Sequence, residues 1–191
     1  MIGGIYISNI RFKKIKLCLT SLTFLIIPFF VLTSCIKQSD SIYISEVIDG
    51  DTFQDSENIR YRLLGVDTPE SFDSSNNFLP TKGLQKFYAS KATNLSSQEI
   101  LHKNVVIKKW KKDSYDRTVT RINYKWNDLA KILLKNGLAR IKYISPIEKD
   151  FFYYPDVDYY NQLLEIEQYA KINKIGIWKL TLEEQKIVFS K

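Results

Sequence analysis

Histidine and cysteine are almost missing from this chain, and their scarcity removes whole classes of chemistry. His102 is the only histidine in 191 residues, which excludes histidine-based zinc clusters on inventory alone. It falls near a predicted helix end and reads as a surface residue. The two cysteines, Cys18 and Cys35, both lie in the N-terminal stretch, so everything beyond residue 35 lacks a disulfide and a thiolate metal site. Internal repeats and low-complexity segments are missing as well. A strong excess of one charge is also lacking. The net charge is +7, but residues 1–34 hold Arg11, Lys13, Lys14 and Lys16 and no acid, so the remainder carries 24 bases against 21 acids, or +3. Such a balance permits nucleic-acid binding without indicating it. An apolar content of 45% with 14% aromatic residues excludes wholesale disorder, and the length suits one ordinary domain with a tail.

The N-terminus has the layout of an export signal, with basic residues up to Lys16 and then an apolar stretch, Leu17–Ser34. The 20 uncharged residues between Lys16 and Lys37 suffice to cross a bilayer of about 30 Å as a helix, although Pro28 would disturb it. The stretch ends in Leu32-Thr33-Ser34-Cys35, which resembles the bacterial lipobox, whose cysteine is lipidated and becomes the new N-terminus. A lipid anchor at Cys35, a retained single-span anchor and cleavage to a secreted protein are the three readings, and all of them export the domain. The division expected is a lipoprotein-type signal peptide over 1–34, the lipidated cysteine and a tether over 35–41, a domain over 42–180 and a C-terminal tail over 181–191.

Residues 42–48 alternate and are β-branched, and Asp49-Gly50 turns them into a second strand over 51–55. A third strand is predicted over 59–66, followed by a polar loop over 71–80. From about Thr81 the period becomes helical, with Leu84, Phe87, Tyr88, Lys91, Ala92 and Leu95 in phase over 81–100. Strands follow over 104–110 and 118–124. Asp128 caps a short helix over 129–136 that Gly137 ends in a left-handed conformation. Another strand covers 138–144, then a loop over 145–157 with an aromatic cluster, Phe151 to Tyr154, read chiefly as a hydrophobic plug and alternatively as a further stacking surface. A last helix over 158–174 carries Leu163, Leu164, Ile166 and Ala170 in phase, and Gly176 closes it. The first five of these short strands with one helix between the third and fourth, and two more helices, predict an α+β domain that is mainly β-barrel, of five-stranded OB type.

Two carboxylate turns carry the chemistry. Asp49-Gly50-Asp51-Thr52 forms the first, and Arg62-Leu-Leu-Gly-Val-Asp67-Thr68-Pro69-Glu70 forms the second. A phosphodiester resists attack because its anionic oxygens repel the nucleophile and charge accumulates further in the transition state. Hard divalent cations on oxygen ligands neutralise that charge, and planar guanidinium groups grip the phosphate oxygens. Asp51 and Asp67, each at a strand end, are the natural carboxylate ligands. Arg60 and Arg62 share a strand face while Asp67 is out of phase with both, so a bulge or a strand end must re-aim the chain.

With Asp113-Ser-Tyr115-Asp-Arg117 as a third segment, and Gly176-Ile177-Trp178 near the end, the chain resembles the staphylococcal nuclease (thermonuclease) family over about 42–180. The resemblance implies a Ca²⁺-dependent nuclease acting on DNA and RNA with little sequence preference and leaving 3′-phosphate ends. It implies Asp51, Asp67 and the backbone carbonyl of Thr68 as metal ligands. Arg62, rather than Arg60, and Arg117 would bind the phosphate, Glu70 would orient or deprotonate the attacking water, and Tyr115 and Tyr143 would contact the nucleotide. No protein partner is implied and a monomer is expected; the membrane is a partner only through the lipid anchor. Three positions depart from the family pattern. Asp116 replaces the usual glycine before the arginine, Ser114 stands where a lysine often contacts phosphate, and Ser145 stands where a second loop tyrosine is common. Two rivals remain at the level of sequence: a catalytically silent OB module that only binds nucleic acid, and an adhesion or structural lipoprotein built on the same barrel. The run Lys108, Lys109, Lys111 and Lys112 would either track phosphates or blunt an exposed strand.

Overall fold

The computed structural model describes residues 40–70 and 83–190. The predicted signal peptide, Cys35, most of the predicted tether, the predicted loop over 71–80 and the first residues of the predicted helix over 81–100 lie outside the described residues. Strand β1 (Asp40–Asp49) pairs antiparallel with β2 (Thr52–Asp55), and β2 with β3 (Arg60–Leu63). On its other side β1 pairs with β5 (Asn104–Lys112), which pairs with β6 (Thr118–Tyr124). The sheet then closes on itself, because β3 and β6 pair in parallel, Arg62 opposite Val119. The result is the five-stranded barrel expected. Two register shifts in β1, at Ile44/Glu46 and Val47/Asp49, bend that strand as closure demands. Ile44, Phe53, Tyr61, Val105, Ile107 and Ile122 are buried in the core.

Helix α1 (Leu84–Ile100) connects the two halves of the barrel and presses a face of small residues, including Ala92 and Ser96, towards the β1–β2 turn. There the Ser96 hydroxyl donates to the Gly50 carbonyl at 2.7 Å. The predicted third strand is shorter than its hydrophobic run. It stops at Leu63, and Gly65 at φ 80 turns the chain before β4 (Val66–Asp67). The predicted strand over 138–144 reduces to β8 (Arg140–Ile141), since its partner β4 is itself two residues long. Between them, β7 (Asn127–Asp128) extends the sheet and Asp128 caps α2 (Leu129–Lys135) through Lys131 N–H, with Gly137 at φ 60 just past its end.

Helix α3 (Val157–Ile172) buries Tyr159, Leu163, Glu167 and Ala170, a face rotated from the one the periodicity suggested: Leu164 is substantially exposed. The difference comes from Glu167, a buried acid that no apolar count would place inside. Its carboxylate accepts from Ile141 N–H at 2.7 Å and so ties β8 to the helix. Residues 181–190 do more than trail. Thr181 and Glu184 form a reciprocal cap on α4 (Leu182–Val188), which packs on α1 and buries Val188.

Candidate active site

Barrel closure sets Arg62 between the two predicted carboxylate ligands. In its register Arg62 lies opposite Thr52 on one side and Val119 on the other, and only 7% of it is exposed. Its Nη1 lies 2.8 Å from Asp51 Oδ2, and its Nη2 lies 3.5 Å from Asp67 Oδ1. The turn at Gly65 is what brings Asp67 back to Arg62, which resolves the phase conflict seen in the alternation. Thr68 N–H donates to Asp51 Oδ2 at 2.7 Å, fastening the second carboxylate turn to the first across the site.

Arg117 arrives from the start of β6. Asp113 organises its turn: one oxygen accepts from the Tyr115 and Arg117 N–H groups, and the other accepts from Arg117 Nε at 2.8 Å. The free arm of the guanidinium, Nη1, donates to Thr52 Oγ1 at 3.3 Å, and the same hydroxyl donates to Asp51 Oδ1 at 3.3 Å. Arg117 is thereby one hydroxyl away from the carboxylate that Arg62 grips. Asp116 holds φ 60, the left-handed conformation that glycine meets most easily, and its carboxylate pairs with Lys112 at 2.8 Å instead of with Arg117.

Glu70 is half-buried beyond the Pro69 turn, and its charge acts on both Arg62 and Asp49. Tyr115 is 79% exposed with its ring centroid 5.1 Å from the Arg117 Cζ, and the Tyr143 ring lies 5.8 Å from the Arg62 Cζ. Each tyrosine thus stands beside one arginine. The lysine run on β5 is largely engaged on the protein: Lys109 pairs with Asp40, Lys112 with Asp116, and Lys111 donates to the Phe151 carbonyl.

Three participants were not singled out for the site by the sequence. Arg140 Nε and Nη2 donate to Asp67 Oδ2 at 2.9 and 2.8 Å, and its guanidinium lies 4.2 Å from the Phe189 ring beyond α4. Thr52 and Asp113 seat Arg117. A lone basic residue in a short apolar strand gives no local signal of such a role; Asp113 does, because an Asx turn before an arginine is a readable motif.

Among the described residues, no three histidine, cysteine, aspartate or glutamate side chains gather as a ready cation shell, since Arg62 stands between Asp51 and Asp67. The donor chemistry nevertheless suits a hard divalent cation. Asp49, Asp51 and Asp67 are all buried oxygen donors. Burial, then the charge of Asp51, pushes the Asp49 carboxyl well above the ordinary carboxylate range. Burial also opposes the charge on Arg62, but Asp51, Asp49, Asp67 and Glu70 together hold its pKa above the usual value. The charge of Asp51 on Asp49, and the four carboxylates that reinforce Arg62, mark an excess of negative potential that added positive charge would offset.

The family model described as "Staphylococcal nuclease homologue" matches residues 60–180. This chain belongs to the staphylococcal nuclease family. The thermonuclease of Staphylococcus intermedius is 30% identical over 151 residues, covering 74% of this chain and 78% of that protein. An uncharacterized protein of Methanocaldococcus jannaschii, MJ1439, is 33% identical over 170 residues, covering 76% of each. An uncharacterized endonuclease of Haemophilus influenzae is 23% identical over 161 residues, covering 82% of this chain and 76% of its own length. As a staphylococcal nuclease homologue with this site, the domain is a nuclease, a hydrolase of nucleic acids.

Proposed function

We propose that the protein is a Ca²⁺-dependent, sugar-non-specific nuclease that hydrolyses DNA and RNA to 3′-phosphate ends, working from a lipid anchor outside a bacterial membrane. The observation that carries the enzymatic part is the chain of contacts from Arg117 through Thr52 to Asp51 and on to Arg62, which joins two guanidinium groups and the carboxylates in one place. Arg62 and Arg117 bind the non-bridging oxygens of the scissile phosphate, and their fixed positions favour the charge that grows in the transition state. Glu70 accepts a hydrogen bond from the attacking water and aims it at phosphorus. Tyr115 and Tyr143 flank the nucleotide. Asp51, Asp67 and the Thr68 carbonyl would hold the cation, whose part is to neutralise phosphate charge as a Lewis acid.

Digestion of DNA and RNA by the full chain, with Ca²⁺ or with EGTA, tests the reading. Cleavage is expected in Ca²⁺ and not in chelator, and Glu70→Gln should slow it about 10²-fold or more while substrate affinity holds. Cleavage that persists in EGTA removes the calcium requirement, and binding without any cleavage makes the domain a binding module. The anchor has its own check. Cys35→Ser should move the protein out of the membrane fraction in a bacterial host that processes lipoproteins; an unchanged distribution leaves the single-span reading in its place.

A further inference from the structure

The loop from Ser145 to Asp156, between β8 and α3, takes no part in the site as described. Its shape is held by its own polar groups. Ser145 N–H donates to the Phe152 carbonyl at 2.9 Å, Tyr154 N–H returns to the Ser145 carbonyl at 2.9 Å, and Phe152 N–H donates to Asp150 Oδ1 at 2.8 Å. Within this frame Tyr154 is buried, edge-on to Trp110 at 5.3 Å, and serves as the plug the sequence suggested. Phe151 does not. Four-fifths of it, 80%, faces solvent, and Phe152 is 38% exposed.

These rings continue from the active site. Tyr143, beside Arg62, lies 5.2 Å from Phe152 between ring centroids, and Phe152 lies 5.0 Å from Phe151. A cation sits over each end of the row: Lys142 Nζ is 4.7 Å from the Tyr143 centroid, and Lys111 Nζ is 5.0 Å from that of Phe151. Lys111 is also bonded to the Phe151 carbonyl at 2.7 Å, so cation and ring are held as a unit.

We propose that Phe151, braced edge-on by Phe152 with the two ring planes at 89°, is an accessory stacking platform for an unpaired nucleobase next to the nucleotide held at Tyr143, with Lys111 beside the adjoining phosphate. This rests on the nuclease reading and extends its substrate contact along a single strand. The physical case has three parts. An exposed aromatic ring on a loop already ordered by hydrogen bonds loses little conformational entropy when it meets a ligand. Every base offers a π-face, so stacking suits an enzyme without sequence preference. The row of rings runs on from Tyr143 beside Arg62, which points to the strand already held at the site rather than to a lipid surface, the other occupant an exposed phenylalanine could serve.

The experiment compares kcat/KM of the full chain and its Phe151→Ala variant on a single-stranded oligonucleotide of about ten residues and on a dinucleotide. Loss of the ring should lower kcat/KM on the longer strand at least about fivefold, mostly through KM, and leave the dinucleotide unchanged. Phe151→Leu should behave like alanine and Phe151→Trp like the native protein, all with unaltered melting temperature. Equal losses on both substrates, no loss on either, or full rescue by leucine would overturn the platform. So would a variant whose only defect is weaker binding to phosphatidylglycerol vesicles, which assigns the loop to a membrane. If the native chain cleaves neither substrate, the nuclease reading fails by itself. The platform is then judged by fluorescence anisotropy of the same strand, where Phe151→Ala must still bind at least about fivefold more weakly.

Discussion

Replacing Arg62 with alanine should lower cleavage about 10²- to 10³-fold and also weaken the fold, whereas Arg117→Ala should cost cleavage alone. The two arginines play matching parts towards phosphate but stand in different surroundings. Arg62 is buried between Asp51 and Asp67, in the field of Asp49 and Glu70. Its removal leaves buried carboxylates short of a counter-ion, a change that costs about 3–5 kcal/mol where one partner of a buried pair is lost. Asp67 keeps Arg140 and Lys142, so the lower end of that range applies. A domain stable by about 5–15 kcal/mol loses a large share of its margin. Arg117 instead pairs with Asp113 near the surface, with 23% and 20% of the two side chains exposed, and such pairs contribute about 1 kcal/mol or less. Urea denaturation and single-turnover cleavage of the two variants, with Arg62→Lys as a third, separate the effects. Lysine should restore most of the stability and little of the rate, because it keeps the charge and loses the fork. Equal stability of both alanine variants would remove Arg62 from the centre of the site.

A single methyl group at Gly50 should do comparable harm from a residue with no chemistry of its own. A Cβ there would lie 2.7 Å from the Ala92 Cβ and 2.8 and 2.9 Å from the Thr68 Oγ1 and Cγ2. None of these atoms is the far end of a flexible chain, so either α1 withdraws or Thr68 shifts. The Ser96 hydroxyl on the Gly50 carbonyl resists the first movement, and the Thr68 N–H on Asp51 resists the second. Gly50→Ala should therefore lose about 1–3 kcal/mol of stability and raise the Ca²⁺ concentration needed for half-maximal cleavage. Ala92→Gly in the same chain relieves one of the two contacts, and should recover part of the stability while leaving the calcium defect in place. Thermal melts and a calcium titration check both; a variant indistinguishable from the native chain in each would show that α1 yields here at no cost.

Much of the barrel was legible because its strands carry their own signals. Alternation over 42–48 and the Asp49-Gly50 turn belong to a local hairpin, and so do the polar turn between β5 and β6 and its Asp116 in the left-handed region. The misses share a cause. The apolar run predicts a third strand that continues through Leu64-Gly65, and the positive φ of Gly65 interrupts it only where β8 must also be reached. The buried face of α3 differs from the one its apolar residues predict because Glu167 is inside, satisfied by a β8 amide that no window of α3 contains. The sequence shows no helix after Leu180 although Thr181 and Glu184 carry a capping pattern, since the seven residues of α4 gain their stability from α1 rather than from themselves.

The order of residues along the chain was enough to say what kind of chemistry this protein can perform. One histidine and no thiol beyond Cys35 leave carboxylates, arginines and tyrosines as the working groups, and short motifs collect them in three places. Which of these groups touch was decided only in three dimensions. Parallel pairing of β3 with β6 seats Arg117 over Thr52, and pairing of β4 with β8 delivers Arg140 to Asp67. Those partners lie 65 and 73 positions apart, and such pairings are fixed by barrel closure and core packing, forces that act between segments and leave no mark within any one of them.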